Sequence, residues 1–331
     1  MLVSRILFRL GRLHYLLYLL FLVLISALFI CTKYISQHHL MTMRLCKCSK
    51  CVSELGLSEW FDERYVSNMN PILMKSNYTI PEKSYNWWKR LQGSKNAPYF
   101  NIVMEQVFKL FPGDNLLSGH GPNRCRTCAV VGNSGNLIGS NYGPIIDSHN
   151  FVMRMNHAKT VGYERDVGTK TTHHFMYPQS AQNLAHNVSL VLIPFKILDL
   201  QWLISAITTG NITRAHSRVV SKIKANKDKV LVLSPHFFKY VQDNWNEHHG
   251  KQPSTGMLVT IFALHVCDEV DVYGFGANNL GHWHHYWEKN AGAGAFRVTG
   301  VHDGDFEANV TKTLAKDNKI YFFKDVKPAR L

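Results

Sequence analysis

The sequence lacks any run of lysine or arginine, although basic residues outnumber acidic ones and the formal net charge is +14. Scattered singly, with no nucleic-acid-binding motif, those charges argue against a nucleic-acid partner. They fit a diffuse positive field that steers an anionic small substrate, or simple solubility. The dinucleotide fingerprint is missing too. Gly132-Asn133-Ser134-Gly135-Asn136 follows a strand pattern but lacks the G-x-G-x-x-G spacing, and no acidic residue closes the next strand. No Walker lysine follows the Pro253-Ser254-Thr255-Gly256 turn, which excludes an NTP-hydrolysis loop. There is no internal repeat, no low-complexity tract and no long Pro/Ser/Thr-rich stalk. The 331 residues therefore suit one large domain or two small ones, and plentiful aromatics exclude a disordered chain.

What is present begins at the N-terminus. Arg5, Arg9 and Arg12 precede an uncharged, mostly apolar stretch at 13–30, closed by Lys33. At ~1.5 Å per residue that stretch spans ~27 Å, enough for a thin bilayer, and the arginines place the short end in the cytosol. No small-x-small cleavage site follows. The expected organisation is a cytoplasmic tail at 1–12, a signal anchor at 13–30, a short stem at 31–45 and a luminal catalytic domain at 46–331. Four sequons, Asn77, Asn187, Asn211 and Asn309, agree with a luminal body and should be exposed. Besides Cys31 there are six cysteines: Cys46, Cys48, Cys51, Cys125, Cys128 and Cys267. Their C-x-C-x-x-C and C-x-x-C spacings allow a zinc site, but an oxidising lumen favours disulfides, and spacing cannot choose among the pairings.

The segments LSEWFDERYV, EKSYNWWKRLQ and FNIVMEQVFKLF carry helical periodicity, with Trp60, Trp87 and Trp88 as core anchors. From Cys128 onward strand and helix patterns alternate. Strands are expected at 129–131, 151–155, 172–177, 190–193, 230–233, 270–273 and 320–323, and helices at 198–208, 237–246, 256–266 and 306–315. That order predicts an α/β fold with a mainly parallel central sheet flanked by helices. Two strands that end in Gly132 and Asn156 mark the carboxyl edge, where such sheets bind ligands.

Three further constellations carry chemistry. Ser254 or Thr255 caps an apolar helix whose N-terminus, with Gly256, presents free N–H groups to an anion. His282-Trp283-His284-His285 invites a metal reading, yet consecutive side chains diverge and no Asp or Cys stands close in sequence, so an acid or a phosphate-facing cation is preferred. Asp303-Gly304-Asp305 is a literal D-x-D, but it leads into a helix, where acids serve as caps, and His302 just before it is placed as a general base.

Cys128 to Pro178, Lys251 to Gly276, His285 to Glu288 and His302 to Glu307 resemble, in order, the large, small, third and very small motifs of the eukaryotic sialyltransferases, glycosyltransferase family 29. The likeness is greatest to α-2,3-sialyltransferases of the core-1 O-glycan type. It implies a modified GT-A, Rossmann-like fold and a type II Golgi membrane enzyme, its catalytic domain luminal. The enzyme would transfer sialic acid from CMP-sialic acid to the 3-hydroxyl of terminal galactose on glycoproteins or glycolipids, with no metal or other cofactor. It implies the pairs Cys46–Cys51, Cys48–Cys125 and Cys128–Cys267. His302 would be the base and His285 a donor to the departing phosphate. Asn133, Ser134, Asn156, Tyr177, Ser254, Thr255, Gly256 and Gly276 would hold the CMP part. Gln92 would contact the acceptor sugar. Gln252 and His216 stand where core-1 members of that family carry acceptor-side tyrosines, so a weak or inactive glycan or CMP binder is the alternative. A homodimer is compatible with the resemblance.

Overall fold

Three disulfides form the pairings that the resemblance implies: Cys46–Cys51 closes a local loop, Cys48–Cys125 ties that loop to the segment ahead of residue 127, and Cys128–Cys267 joins two later parts of the chain. The computed structural model describes residues 14, 18–33, 46–91, 100–112, 117, 123–215, 217–277, 282–289 and 299–323. Gln92 and His216 lie outside these residues, as does most of the expected stem. Residues 18–33 are helical, with exposed apolar side chains from Tyr18 to Ile30. Among the described residues no helix is long and apolar enough to cross a membrane.

Among the described residues eight strands form one sheet: β1 Ile72–Leu73, β2 Thr127–Val131, β3 Phe151–Met155, β4 His173–Met176, β5 Ser189–Leu192, β6 Val230–Leu233, β7 Glu269–Tyr273 and β8 Tyr321–Phe323. Their order across the sheet is β1-β6-β5-β4-β3-β2-β7-β8. All neighbours are parallel except β1, which pairs antiparallel to β6 at the edge. The runs of valine and leucine in β5 and β6 are buried throughout, the pattern of a parallel sheet covered on both faces. Strands β3 and β6 match their expected ranges to the residue; β1 is additional.

Among the described residues, the helices packed around the sheet include α1 Glu82–Arg90, α2 Phe100–Leu110, α3 Ile197–Ile207, α4 Pro235–Tyr240, α5 Thr255–Val266 and α6 Gly304–Lys316, of which α5 and α6 reach the cleft. Helix α1 lies against α4, and α2 against α3. Trp88 of α1 is fully buried and donates its indole N–H to Pro194 O at 2.8 Å, whereas Trp60 and Trp87 are partly buried against the same core. Every residue of α5 from Met257 to Val266 is buried, so this helix runs through the core beside β2, β3 and β7.

Two helical expectations need correction. LSEWFDERYV forms only one turn, Glu59–Asp62, capped by Ser58. Beyond it, Arg64 stacks on Trp60, and the Val66 N–H donates to the Tyr240 hydroxyl, so tertiary partners take over from the helical ladder. The helix expected over 237–246 starts earlier, at Pro235, and changes at Val241 into a π-helical turn ending at Trp245.

Candidate active site

Strand β2 has β3 on one side and β7 on the other, so the chain reverses its direction of winding there. The loops leaving β2, β3 and β7 at their carboxyl ends diverge around a crevice, the usual place for a ligand in such a sheet. A cleft of about 610 Å³ occupies it. Asn133, Ser134, Asn156, Tyr177, Gln252, Ser254, Thr255, Gly256, Gly276, His285 and His302 all line this cleft. The fold therefore gathers every described candidate for donor binding, acceptor binding and catalysis into one place.

The β2 wall is built by close backbone approach. A Cβ on Gly132 would sit 2.3 Å from Gly274 O and 2.7 Å from the Phe275 ring, so the turn closes only with glycine there. Asn133 donates from Nδ2 to Met155 O at 3.1 Å, while its Oδ1 is buried with no hydrogen-bond partner among the described residues. Ser134 donates to Gly276 O at 2.8 Å, tying the β2 loop to the β7 loop. Asn156 ends β3 in the left-handed region, φ 56°, which asparagine tolerates. Its Oδ1 accepts from the Ser180 hydroxyl at 3.0 Å, and its carbonyl accepts from His174 Nε2 at 2.7 Å.

The loop carrying His285 is laced to the same turn. Gly135 N donates to His284 O at 2.9 Å, and Tyr286 N donates to Asn133 O at 3.0 Å. The His285 ring stacks on Trp287 with 4.5 Å between centroids, and its Nδ1 lies 2.8 Å from Glu288 Oε1. That hydrogen bond holds the Glu288 carboxyl below its ordinary range.

The opposite wall is the start of α5 and α6. Ser254 is the N-cap of α5 and accepts from Met257 N at 3.1 Å, so the capping and ligand-facing roles coexist in one turn. Behind it lies Glu307, a buried carboxylate to which the sequence alone assigns no role. Glu307 accepts from Ser254 N at 2.7 Å, from Asn246 Nδ2 at 3.2 Å and from the Ser254 hydroxyl. Burial pushes its pKa up, against the hydrogen bonds from Ser254 and the nearby His302, which favour the carboxylate. The one sequence signal for it is its place five residues after His302 on an otherwise amphipathic helix.

His302 Nδ1 lies 2.9 Å from Gln252 O. A carbonyl only accepts, so Nδ1 carries the proton and Nε2 is the basic nitrogen of the neutral ring. Gly250 makes this contact possible: a Cβ there would meet His302 Cα at 3.0 Å and Val301 O at 2.9 Å. Asp303 caps α6, accepting from Phe306 N at 3.0 Å, and pairs with His249 Nδ1 at 3.0 Å. Both interactions lower its pKa. Its oxygens are thus engaged in capping, as its place ahead of a helix suggests. Among the described residues the one cluster with metal-ligand spacing is Cys48, Cys125 and Glu269, whose two sulfurs are joined as a disulfide.

The four sequon asparagines are all exposed.

A parallel-sheet cleft with amide and hydroxyl donors on both walls, and a tautomer-fixed histidine between them, is the layout of a group-transfer enzyme acting on an anionic donor. The family model "Glycosyltransferase family 29 (sialyltransferase)" matches residues 72–319. The chain is 60% identical over 282 residues to a chicken (Gallus gallus) CMP-N-acetylneuraminate-beta-galactosamide-alpha-2,3-sialyltransferase 1, covering 85% of this chain and 82% of that one. It is 54% identical over 281 residues to the mouse (Mus musculus) CMP-N-acetylneuraminate-beta-galactosamide-alpha-2,3-sialyltransferase 2, covering 85% and 80%. A crystal structure of a mammalian sialyltransferase in complex with Gal-beta-1-3GalNAc-ortho-nitrophenol superposes with a TM-score of 0.79 at 52% identity, covering 84% of this chain and 99% of that one. The chain belongs to glycosyltransferase family 29, the sialyltransferases.

Proposed function

We propose that the protein transfers sialic acid from CMP-sialic acid to the 3-hydroxyl of a terminal galactose, with Galβ1-3GalNAc as the preferred acceptor. The relatives' names support the donor and linkage, and the glycan bound in the neighbouring crystal structure supports the acceptor. The single observation that carries the mechanism is the Nδ1 contact of His302 with Gln252 O.

In the proposed reaction His302 Nε2 takes the proton from the galactose 3-hydroxyl. The oxygen attacks C2 of the sialic acid, and the C2–O bond to phosphate breaks with its electron pair leaving on CMP. Attack from the face opposite CMP inverts the β-linked donor to an α-linked product. His285 donates to the departing phosphate, with the Ser254-Thr255-Gly256 turn and the positive end of α5 behind it. Asn133 Oδ1, without a hydrogen-bond partner among the described residues, is suited to accept from a donor hydroxyl. CMP leaves as a monophosphate ester, without the diphosphate that a D-x-D metal clamps, and hydroxyls, amides and histidine suffice to hold one phosphate. The proposal includes a type II Golgi membrane protein anchored through 13–30.

The test is transfer by the full chain from CMP-sialic acid to Galβ1-3GalNAc and to Galβ1-4GlcNAc, each with and without EDTA. EDTA-resistant product on Galβ1-3GalNAc supports the proposal. Loss of product in EDTA would move the chemistry to Asp303 and Asp305. Binding of CMP with no product on either acceptor would favour a binder over an enzyme.

A further inference from the structure

Residues 213–215 and 217–219 pair as the two arms of a small hairpin beside the cleft. Val219 N donates to Thr213 O at 3.1 Å, and Ala215 N donates to Ser217 O at 2.9 Å. Between them Arg214 and Arg218 stand directly opposite as an antiparallel bridge pair. Both are exposed. Among the described residues neither guanidinium has an acidic partner. Like charges directly opposed across two strands destabilise the pair. The chain continues with the same sign: Lys222, Lys224 and Lys227 are exposed, and Asp228 is the one acid between 214 and 229. Ser217, at the end of this hairpin, lines the cleft.

We infer that this hairpin is an acceptor-reading surface, recognising acidic side chains of the polypeptide that carries the galactose-terminated glycan. The inference rests on the transfer reaction proposed above and extends it from the reacting sugar to the chain behind the sugar. Two exposed guanidiniums flanking Ser217, which lines the cleft, with no acidic partner among the described residues, offer carboxylates the fork of donors that they bind best. The geometry favours a polypeptide over a lipid surface. The chain enters the domain at Cys46 and Cys48, and Cys48 is bonded to Cys125 just ahead of the amino end of β2. Ser217 brings the tip of the hairpin to the cleft at the carboxyl edge, whereas Cys48 and Cys125 lie toward the amino end of β2.

The experiment uses the full chain in detergent micelles and compares kcat/KM on free Galβ1-3GalNAc, on glycopeptides with Asp/Glu flanking the glycosylated residue, and on glycopeptides with Gly/Ser there. Wild type should prefer the acidic over the neutral glycopeptide roughly 3–10-fold at low salt, as expected for two exposed ion pairs, and the preference should shrink as salt screens them. Arg214→Ser with Arg218→Ser should bring the ratio to about 1 and leave the free disaccharide unaffected. Arg214→Glu with Arg218→Glu should reverse the preference toward Lys-flanked peptides. An unchanged ratio in both double variants overturns the inference. So does a raised KM for CMP-sialic acid on the free disaccharide, which would assign the hairpin to the donor. So does a charge effect seen only with glycolipid acceptors in phosphatidylserine vesicles. Failure of wild type to sialylate the free disaccharide would instead sink the transfer reaction, and this inference with it.

Discussion

The His302 Nδ1 nitrogen is 2.9 Å from the carbonyl oxygen of Gln252, a residue 50 positions earlier in the chain. The partner is a main-chain atom, so the side chain at 252 is not needed to set the tautomer of His302, the proposed base. Glutamine at 252, where the resemblance implies a tyrosine, therefore leaves the support of His302 in place. Any effect of Gln252 should therefore fall on acceptor KM more than on the proton-transfer step.

Glu307 holds the start of α5 from behind. Replacing it with leucine strands the Ser254 N–H and the Asn246 amide in the interior, at about 1–3 kcal/mol for each unsatisfied group. Glu307→Leu should lower the denaturation midpoint and weaken CMP binding together. Glu307→Gln keeps one accepting oxygen and should recover part of both. A wild-type midpoint for Glu307→Leu would contradict this role.

The disulfides should differ in worth according to the loops they close. Cys128–Cys267 spans 139 residues, and Cys46–Cys51 spans 5. Loop-closure entropy assigns about 5 kcal/mol to the first and about 2 kcal/mol to the second. Paired alanine variants should therefore show a larger stability loss for Cys128/Cys267, read as a difference in urea midpoint. Equal losses would mean that local packing, not chain entropy, dominates.

Among the described residues His173, His174 and His265 are buried in the neutral form. Burial pulls His173 down to about 3, and His174 and His265 down to about 4, from an ordinary value of 6.5. For a depressed folded pKa the stabilisation is complete above the unfolded value and is lost as pH falls toward the folded one. The window is therefore below about pH 6.5, and at pH 5 each group costs about 2 kcal/mol relative to neutral pH. Thermal scans from pH 7 to pH 5 should show a marked fall in Tm. His174→Gln should flatten that fall; a pH-independent Tm over this range would contradict it.

Most of the sheet was legible because parallel buried strands read as short apolar runs ended by Gly, Asn or Ser. Strand β1 was not. Ile72–Leu73 has too few residues to show a period, and it is placed by its pairing with β6 and by the bond from Ser234 N to Pro71 O. The one-turn helix at Glu59 misled for a related reason: its apolar spacing was real, but Trp60 and Phe61 bury against Trp245, far along the chain. At the site, strand ends and helix starts announced Asn133, Asn156 and Ser254. Glu307 could be seen only as an acid in the first turn of a helix. Its bond to Ser254, 53 residues earlier, exists only once α5 and α6 share a wall. The D-x-D was legible as a cap because capping is local, and local rules transfer well from sequence to structure.

The role of His302 is decided by comparing His302→Ala with wild type in two measurements on the same preparations: the rate of sialic acid transfer to Galβ1-3GalNAc, and the affinity for CMP. The rate should fall by at least the roughly 10²–10⁴-fold that a general base supplies, with CMP affinity close to wild type. Transfer at an undiminished rate would show that the proton leaves the galactose hydroxyl by another group, and the role given to His302 would be wrong.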